Sequence, residues 1–388
     1  MEERRAVRQK KRQSENFFDY SLLFIVLFLL GFGLVMIYST SSYEANLQFK
    51  DSAYYLKKQV TATVIGLAAM IVVANIPYHF WERFATLAYI GSGVLILLVL
   101  VPGIQYSANG ATRWIRIGGF TLQPAEVAKL GMILFLASLV CRMGRGIRTT
   151  KGFFTVLLVP APICLMIWKI TNNLSSAIIV FGIAALMLFV ASPEYKKFII
   201  LGLGGIAAAA VLVFVIKSAA SADSLDFRGA RILAWLDPEA YASGKGFQTL
   251  QALYAIGSGG ILGKGLGASM QKLGFLPEAQ NDMIFSIICE ELGLFGAIAV
   301  ILMFLLLIWR FMVIANNAPD LYGALLVVGV LGHLAIQVIL NIAVVTNTIP
   351  NTGISLPFIS YGGSAVLFLL IEIGMVLSVA KGIRLKDL

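Results

Sequence analysis

Long apolar runs recur along the whole chain and set the class of fold. Residues 22–38 read "LLFIVLFLLGFGLVMIY" and residues 297–309 read "AIAVILMFLLLIW". Each run belongs to a segment long enough to cross a hydrocarbon core of about 30 Å as a helix. A transmembrane barrel would alternate apolar and polar residues, which these runs do not do. Charged residues make up only 13% of the 388 residues, against roughly 25% in a soluble domain. The sequence therefore predicts an all-α integral membrane protein.

Apolar windows predict about ten transmembrane helices in a single membrane domain, 19–388, after a short tail, 1–18. The windows fall at residues 19–41, 58–76, 83–102, 124–141, 152–170, 174–191, 198–217, 283–309, 321–345 and 359–381. The longest connection, 218–282, lies between the seventh and eighth helices. A soluble enzyme domain does not fit in it, so any chemistry must use this loop together with helix ends.

Basic residues predict which face of the membrane each connection occupies. The chain has a net charge of +10, and its Lys and Arg residues cluster at segment ends rather than on one soluble face, which disfavours a nucleic-acid partner. The clusters are Arg4 to Arg12, Arg142 to Lys151, Lys196 with Lys197, and Lys381 to Lys386. The positive-inside rule then puts both termini in the cytoplasm and the 218–282 loop outside.

Ionisable residues within transmembrane segments are costly and are by default functional candidates. Glu126 and Lys129 follow Pro124 in the first turns of the fourth predicted helix. One interpretation is an ion pair that only holds the helix start in place. The other adds Arg113 and Arg116 of the preceding loop, because two guanidiniums and an ammonium at the outer rim suit a phosphate.

Four acids lie in or before the eighth predicted helix, in "FLPEAQNDMIFSIICEELGLFG". Asp282 either caps this helix or acts as a general base at the mouth of an apolar groove. Glu290 and Glu291 follow roughly 12 Å deeper, at 1.5 Å per helical residue. At least one of these two needs a buried partner, so they predict a polar interior beneath the loop.

Polar residues also occur in the last two predicted helices. His333, Gln337 and Asn341 recur every four residues and so form a stripe on one helix face. The stripe either makes hydrogen bonds between helices or lines a cavity. Glu372 is similar, with Lys129 or Lys169 as its candidate partner.

The connection "IPNTGISLPFISYGGSA" contains two prolines and three glycines beside Ser360 and Tyr361. A simple hairpin needs one or two such residues. The composition predicts a fixed, re-entrant shape at the outer rim, which is tolerated only where it lines protein or water.

Three stretches give the chain a family resemblance: "NGATRWIRIGGFTLQPAEVAKL", "IGSGGILGKGLGASMQKLGFLPEAQNDMIFSIICEELGLFG" and "IPNTGISLPFISYGGSA". With these motifs and the ten-helix layout, the chain resembles the SEDS family of bacterial cell-wall polymerases, which contains FtsW, RodA and SpoVE. "PEAQND" and "NTGISLPF" are most similar to the division-type FtsW. One motif departs from the family: the usual "PDLGT" is "NNLSSA" here, so Asn173 stands where the family has an acid.

The resemblance implies glycosyl transfer: polymerisation of lipid II into peptidoglycan on the outer membrane face, with inversion at the anomeric carbon and undecaprenyl diphosphate leaving. It implies that Asp282 is the general base. No cofactor is implied with certainty, and a divalent cation, Mg²⁺ or Mn²⁺, is left open. The expected substrate-binding residues are Arg113, Arg116, Lys129, Lys264, Lys272, Ser360 and Tyr361, and the expected supporting residues are Glu126, Glu290, Glu291, His333 and Glu372.

The resemblance also implies partners and a location: a class B penicillin-binding protein, other division proteins, and the septum of the bacterial cytoplasmic membrane. Two alternative functions stay open. A flippase for the lipid-linked precursor predicts ionisable residues along a full transmembrane path, whereas a polymerase predicts chemistry at the outer rim. A noncatalytic scaffold for a transpeptidase predicts that Asp282 is dispensable.

Overall fold

The computed structural model describes residues 18–108, 111–118, 120–192, 194–218, 227–244 and 246–383. The basic residues before position 18, Arg384 and Lys386 lie outside the described residues. So does the segment 219–226 of the long loop.

Helices dominate the described residues, as predicted. They are α1 (Tyr20–Phe49), α2 (Tyr54–Asn75), α3 (His79–Arg83), α4 (Ala85–Leu98), α5 (Pro124–Met143), α6 (Thr150–Leu158), α7 (Ala161–Ile170), α8 (Leu174–Ala191), α9 (Tyr195–Ser218), α10 (Phe227–Leu236), α11 (Phe247–Gly259), α12 (Ile284–Asn316), α13 (Leu321–Val345) and α14 (Gly363–Ala380). With α6 and α7 taken as one span, nine helices of the described chain are long and apolar enough to cross a membrane.

The third predicted span is shorter than expected. The window 83–102 predicted one long helix, whereas the structure has the short α3 and then the 14-residue α4. Fourteen residues cover about 21 Å as a helix, less than a hydrocarbon core. Turns after Leu98, with Gly103 at φ +92°, lead the chain out of the helix.

A small antiparallel sheet follows α4 and was not predicted. Its strands are β1 (Gln105–Ala108), β2 (Ala111–Ile117) and β3 (Phe120–Leu122), in the order β1-β2-β3. The sheet carries Arg113 and Arg116 and ends two residues before Pro124, the first residue of α5.

The core of the bundle is built around α13 and α14. Helix α13 packs against α5, α8 and α12, and α14 packs against α2 along most of its length. Small residues allow this close approach: a Cβ at Gly374 of α14 would lie only 2.7 Å from the carbonyl oxygen of Met70 in α2. Asp282 and the starts of α5 and α14 lie at the same end of the bundle, which we call the Asp282 end.

Helix α12 is broken at Gly293, where φ is +66° and ψ is −163°. The amides of Leu294 and Phe295 donate to the carbonyl oxygens of Gly260 and Ile261 at 3.0 and 3.3 Å. In return, the carbonyl oxygens of Glu290 and Glu291 accept from the amides of residues 264 and 265, both at 2.9 Å. The glycine-rich segment 259–265 therefore satisfies the backbone groups that the break exposes.

Candidate functional site

Asp282 lies in the turn just before α12, with only 8% of its surface exposed. Its main-chain carbonyl oxygen accepts a hydrogen bond of 2.8 Å from Nδ2 of Asn341 in α13. The same Nδ2 donates to the carbonyl oxygen of Ile354 at 2.7 Å. Asn341 is fully buried, so one interior side chain fixes the Asp282 turn to the loop that joins α13 to α14.

That loop, residues 346–362, packs directly on the Asp282 turn. Oγ of Ser360 donates to the carbonyl oxygen of Asn281 at 2.6 Å and accepts from the amide of Leu356 at 2.7 Å. The amide of Tyr361 donates to the carbonyl oxygen of Gln280 at 2.9 Å. Ser360 and Tyr361 thus bind the main chain of the two residues that precede Asp282. The fixed shape predicted from the prolines and glycines is what the structure shows.

The carboxyl group of Asp282 is held away from water. Its Oδ1 is buried without a hydrogen-bond partner, and a Cβ at Gly353 would lie 3.8 Å from its Oδ2. Burial, followed by the negative charge of Glu278, raises the pKa of Asp282 to about 7, although Arg231 lowers it in part. A carboxyl with a pKa near neutrality is matched to general-base catalysis.

Glu278 lies near Asp282 and has a strained backbone conformation. Its φ is +58°, a left-handed conformation that costs a non-glycine residue about 1 kcal/mol or more. The side-chain amide of Asn281 donates to its carboxylate. The turn therefore keeps a second acid near Asp282.

Buried ionisable residues form a network on the bundle side of the site. Lys129 pairs with Glu126 at 2.8 Å and donates to Oε1 of Gln337 at 3.2 Å. Nε2 of His333 lies 2.9 Å from the same Oε1, and Nδ1 of His333 lies 2.8 Å from Glu372. The predicted stripe on α13 thus makes hydrogen bonds between helices, and Glu372 contacts His333 rather than Lys129.

Proton positions in this network follow from its geometry. Nε2 of Gln337 donates to the carbonyl oxygen of Ser355 at 3.0 Å, so its Oε1 is the acceptor for both Lys129 and His333. Nε2 of His333 therefore donates to Oε1 of Gln337, and its Nδ1 faces Glu372. Through Ser355, the network supports the loop that covers Asp282.

Two other buried acids anchor the long loop. Glu290 pairs with Lys264 at 2.6 Å and accepts from the hydroxyl of Ser269. Glu291 pairs with Lys272 at 2.6 Å, and Oγ of Ser39 in α1 donates to Glu291 at 2.7 Å. The buried partners of Glu290 and Glu291 are thus two lysines of the long loop. Each of these lysines is therefore already paired with a carboxylate.

The two arginines of the sheet lie at the Asp282 end. Arg113 donates to the carbonyl oxygens of Thr171 and Asn172 at 3.3 and 3.2 Å. The guanidinium of Arg116 stacks over the ring of Tyr106, 4.1 Å from its centroid. The site therefore has cations on the sheet.

Asn173, at the position where the resemblance implies an acid, is the N-cap of α8. Its Oδ1 accepts from the amide of Ser176 at 3.1 Å. Asparagine caps a helix about as well as aspartate does, so this position can cap α8 without a carboxylate. Oγ of Ser175, in the first turn of α8, donates to the carbonyl oxygen of Thr352 at 2.5 Å, which connects α8 to the loop beside Asp282.

Arg231, Asn341 and Ser355 contact the site but were not predicted to belong to it. Asn341 was visible as part of the polar stripe, but sequence gave no sign that it contacts Asp282. Arg231 lies in α10, and its Nη1 donates to the carbonyl oxygen of Asn351 at 3.1 Å. Its partner is a backbone atom 120 residues away, so local patterns carry no signal for it.

Among the described residues no three His, Cys, Asp or Glu side chains are grouped so that they could hold a metal ion. A divalent cation therefore stays a prediction, and no step below depends on one.

Comparisons with known proteins match this architecture over nearly its whole length. The model of a cell cycle protein family, FtsW/RodA/SpoVE, matches residues 20–384. The stage V sporulation protein E of Bacillus subtilis is 39% identical over 94% of this chain and 97% of its own length. A probable peptidoglycan glycosyltransferase FtsW of Geobacter metallireducens is 40% identical over 95% of this chain and 96% of its own length.

Solved structures agree with these sequence relatives. A chain from a structure described as "Structural coordination of polymerization and crosslinking by a peptidoglycan synthase complex" has a TM-score of 0.76 at 26% identity, over 94% of this chain and 98% of its own. The rod shape determining protein RodA of Thermus thermophilus has a TM-score of 0.65 at 26% identity, over 95% and 98%. From the family match, the sequence relatives and the shared fold together, the chain belongs to the FtsW/RodA/SpoVE family of cell cycle proteins.

Proposed function

We propose that this protein is a peptidoglycan glycosyltransferase that polymerises lipid II into glycan strands during cell division. Its relatives named FtsW carry that activity in their names. The observation that carries the proposal is the buried carboxyl group of Asp282, whose pKa is raised to about 7 and whose turn is fixed on both sides by hydrogen bonds.

Asp282 acts as the general base in the proposed reaction. Its carboxylate takes the proton of a hydroxyl on the acceptor sugar, and that oxygen forms a bond to the anomeric carbon of the donor. The bond from this carbon to the diphosphate breaks, and undecaprenyl diphosphate leaves with the electron pair. Attack from the face opposite the leaving group inverts the anomeric centre.

The diphosphate leaving group requires cations at the same end of the bundle. Lys129, Lys264 and Lys272 each already pair with a carboxylate. We assign the main contribution to Arg116, which is exposed on the sheet. Arg113 lies on the same strand and adds its charge to this end of the bundle. The three lysines have the supporting role of fixing helix α5 and the long loop.

The Asp282 end faces the outside of the bacterial cytoplasmic membrane in this proposal. Arg142 lies in the last turn of α5 and Arg145 and Arg148 follow it at the opposite end, and Lys381 follows α14 there. This charge distribution follows the positive-inside rule. Similarity to a chain of a peptidoglycan synthase complex supports a class B penicillin-binding protein as partner, and the FtsW relatives support a place at the septum.

A flippase is less well supported by the buried network. His333 and Glu372 lie near the middle of α13 and α14. From His333 toward the opposite end, α13 has only the apolar or small residues 323–332 before Tyr322. A transport path for a charged head group would need polar residues through this layer. Among the buried acidic and basic side chains of the described residues, all except Asp19 lie at the level of His333 and Glu372 or on the Asp282 side of them.

Strand formation from purified lipid II tests the proposal, with the cognate transpeptidase present. Asp282→Asn keeps the size of the side chain but cannot accept a proton, so we expect polymer from the wild type and none from this variant. Asp237→Asn, an exposed aspartate between α10 and α11, is the matched control and should polymerise normally. Equal activity of wild type and Asp282→Asn would reject Asp282 as the base and favour a scaffold. Absence of polymer from the wild type would favour a flippase.

A further inference from the structure

A cavity of about 230 Å³ opens beside the Asp282 turn. It is formed by elements distant in sequence: α10, the start of α11, the residues before Asp282 and the loop after α13. The side chains that line it belong to Arg231, Phe247, Gln248, Thr249, Pro277 and Asn351.

The cavity lies close to Asp282, although Asp282 is not one of its lining residues. Asn351 lines it, and Gly353, two residues further on, is the residue whose backbone lies against Oδ2 of Asp282. Consecutive Cα atoms are about 3.8 Å apart, so the Cα atoms of residues 351 and 353 are separated by at most about 7.6 Å. Arg231 links the two places as well, because it lines the cavity and its charge acts on Asp282.

The lining is held in a fixed shape by its own hydrogen bonds. Nδ2 of Asn351 donates to Oε1 of Gln248 at 2.9 Å, and Nε2 of Gln248 donates to the carbonyl oxygen of Pro277 at 3.2 Å. Nη1 of Arg231 donates to the carbonyl oxygen of Asn351 at 3.1 Å. Gln248 therefore joins α11, the segment before Asp282 and the loop after α13.

The chemistry of the lining fits a sugar ring. Amide side chains both donate and accept, as the hydroxyl and acetamido groups of a sugar do. The rings of Phe247 and Pro277 offer apolar surface to the C–H face of a pyranose. Pockets for drug-sized ligands measure about 300–1,000 Å³, so this smaller cavity limits its occupant to about one ring.

We propose that this cavity binds the reacting sugar ring of the acceptor and directs its hydroxyl group to Asp282, with Gln248 as a specificity-determining residue. The inference rests on the proposed function, because it assumes a lipid-linked sugar as the substrate. The diphosphate and the lipid stay outside the cavity, so contacts within it distinguish the sugar from the rest of the substrate.

Equilibrium binding in the Asp282→Asn background tests the proposal without turnover. The two probes are lipid II and undecaprenyl diphosphate, which lacks the sugars. Gln248→Ala is the test variant, and Gln251→Ala is its matched control, since Gln251 lies on the same helix outside the cavity lining. We expect Gln248→Ala to weaken lipid II binding about tenfold, as losing one or two hydrogen bonds does, and to leave undecaprenyl diphosphate binding within twofold. Gln251→Ala should change neither.

Thr249→Val supplies a second variant that keeps the local fold. The hydroxyl of Thr249 has no hydrogen bond to the described residues, and valine has nearly the same shape. A selective loss of lipid II affinity in this variant also supports the cavity. Equal loss for both probes, or loss for neither in both variants, overturns the proposal.

Failure of the proposed function has a different signature. If the wild type makes no polymer but Gln248→Ala still weakens lipid II selectively, the cavity stands and the polymerase assignment falls. If polymer forms and the two probes are not distinguished, the cavity assignment alone is wrong.

Discussion

Asn341 and Asp282 are joined by a hydrogen bond of 2.8 Å from the buried carboxamide of one to the main-chain carbonyl oxygen of the other. Both hydrogens of that amide are used, since Nδ2 also donates to the carbonyl oxygen of Ile354. The position of the proposed base thus depends on a side chain in the interior of α13, not only on its own turn.

Replacing Asn341 should therefore impair catalysis through position. Asn341→Leu has similar volume but leaves two buried carbonyl oxygens without their donor, at a cost of about 1–3 kcal/mol each. We expect at least a tenfold lower polymerisation rate and a lower midpoint of thermal unfolding in detergent. Ile339→Ala, at an exposed position of the same helix, is the control and should leave the rate near that of the wild type. An unchanged rate in Asn341→Leu would show that the two hydrogen bonds donated by Asn341 are dispensable for catalysis.

The polymerisation rate should follow the ionisation of Asp282. Burial first, and then Glu278, raises the pKa of this carboxyl to about 7, and only the carboxylate accepts a proton. The rate should therefore rise with pH up to about 7 and then level off. Glu278→Gln removes a negative neighbour and should lower the pKa of Asp282, which moves the rise to lower pH. The measurement is the initial rate at saturating lipid II from pH 5 to 9. A rise at the same pH in both proteins contradicts the assignment.

The same ionisation should make wild-type stability fall with pH. The folded protein holds the proton of Asp282 up to a pKa of about 7, whereas the unfolded chain releases it near the ordinary value of 3.8. Between these values the unfolded state binds fewer protons, so its relative free energy falls as the pH rises. At about 1.4 kcal/mol for each pKa unit, this effect is at most about 4 kcal/mol.

Asp282→Asn does not titrate and should escape this loss. We expect the variant and the wild type to unfold at similar temperatures at pH 4, with the variant increasingly more stable toward pH 7 and a constant gap above it. Thermal unfolding in one detergent across this range measures the gap. A gap independent of pH would mean that the carboxyl has an ordinary pKa in the folded protein.

The pair of Glu291 and Lys272 should show strong coupling. Both side chains are buried, and their charged atoms lie 2.6 Å apart. Removing one partner leaves an uncompensated buried charge, which costs about 3–5 kcal/mol, whereas removing both costs much less. Glu291→Gln should therefore lower the unfolding midpoint more than the double variant with Lys272→Gln does. The exposed pair of Lys57 and Asp51 is the control, where Asp51→Asn should change stability by less than about 1 kcal/mol. Additive effects at Glu291 and Lys272 would contradict the pairing.

Glycine should be required at the break in α12. An added Cβ at Gly293 would lie 2.3 Å from the amide nitrogen of Gly263, and the φ of +66° disfavours any L side chain. We expect Gly293→Ala to lower folded yield and the unfolding midpoint sharply. Gly257→Ala, where nothing lies within 4 Å of the added atom, should be tolerated. The measurement is the yield of monodisperse protein, followed by thermal unfolding. Equal stability of the two variants would show that the backbone near Gly263 can move to accommodate the added Cβ.

Sequence patterns predicted most of the bundle because the hydrocarbon core imposes length and polarity on each helix. They missed the sheet from Gln105 to Leu122, whose short strands carry no clear alternation. They also extended the third span to residue 102, although α4 ends at Leu98, since an apolar window does not register the turn that ends a helix.

The candidate site was predictable only where an ionisable side chain lies in or next to an apolar segment, because burying such a group costs free energy. Asp282, Glu290 and Glu291 stood out because acids are rare in such segments. Their partners did not, because the bond from Asn341 to Asp282 spans 59 residues and that from Lys272 to Glu291 spans 19. Lys264 and Lys272 were predicted to bind substrate because of their charge. Their pairing with the two buried acids depends on how the long loop folds, which the sequence does not reveal.

The interruption at Gly293 also divides the mechanical support of α12. In an unbroken helix, a residue at the mouth is held by a ladder of hydrogen bonds that continues across the membrane. Here the first two turns, from Ile284 to Leu292, are linked to the rest of α12 through the segment 259–265. Asp282 lies just before this short helical part. A displacement of the glycine-rich segment therefore reaches its carboxyl group without passing along the remaining length of the helix. The segment 259–265 therefore supports the end of α12 that Asp282 precedes.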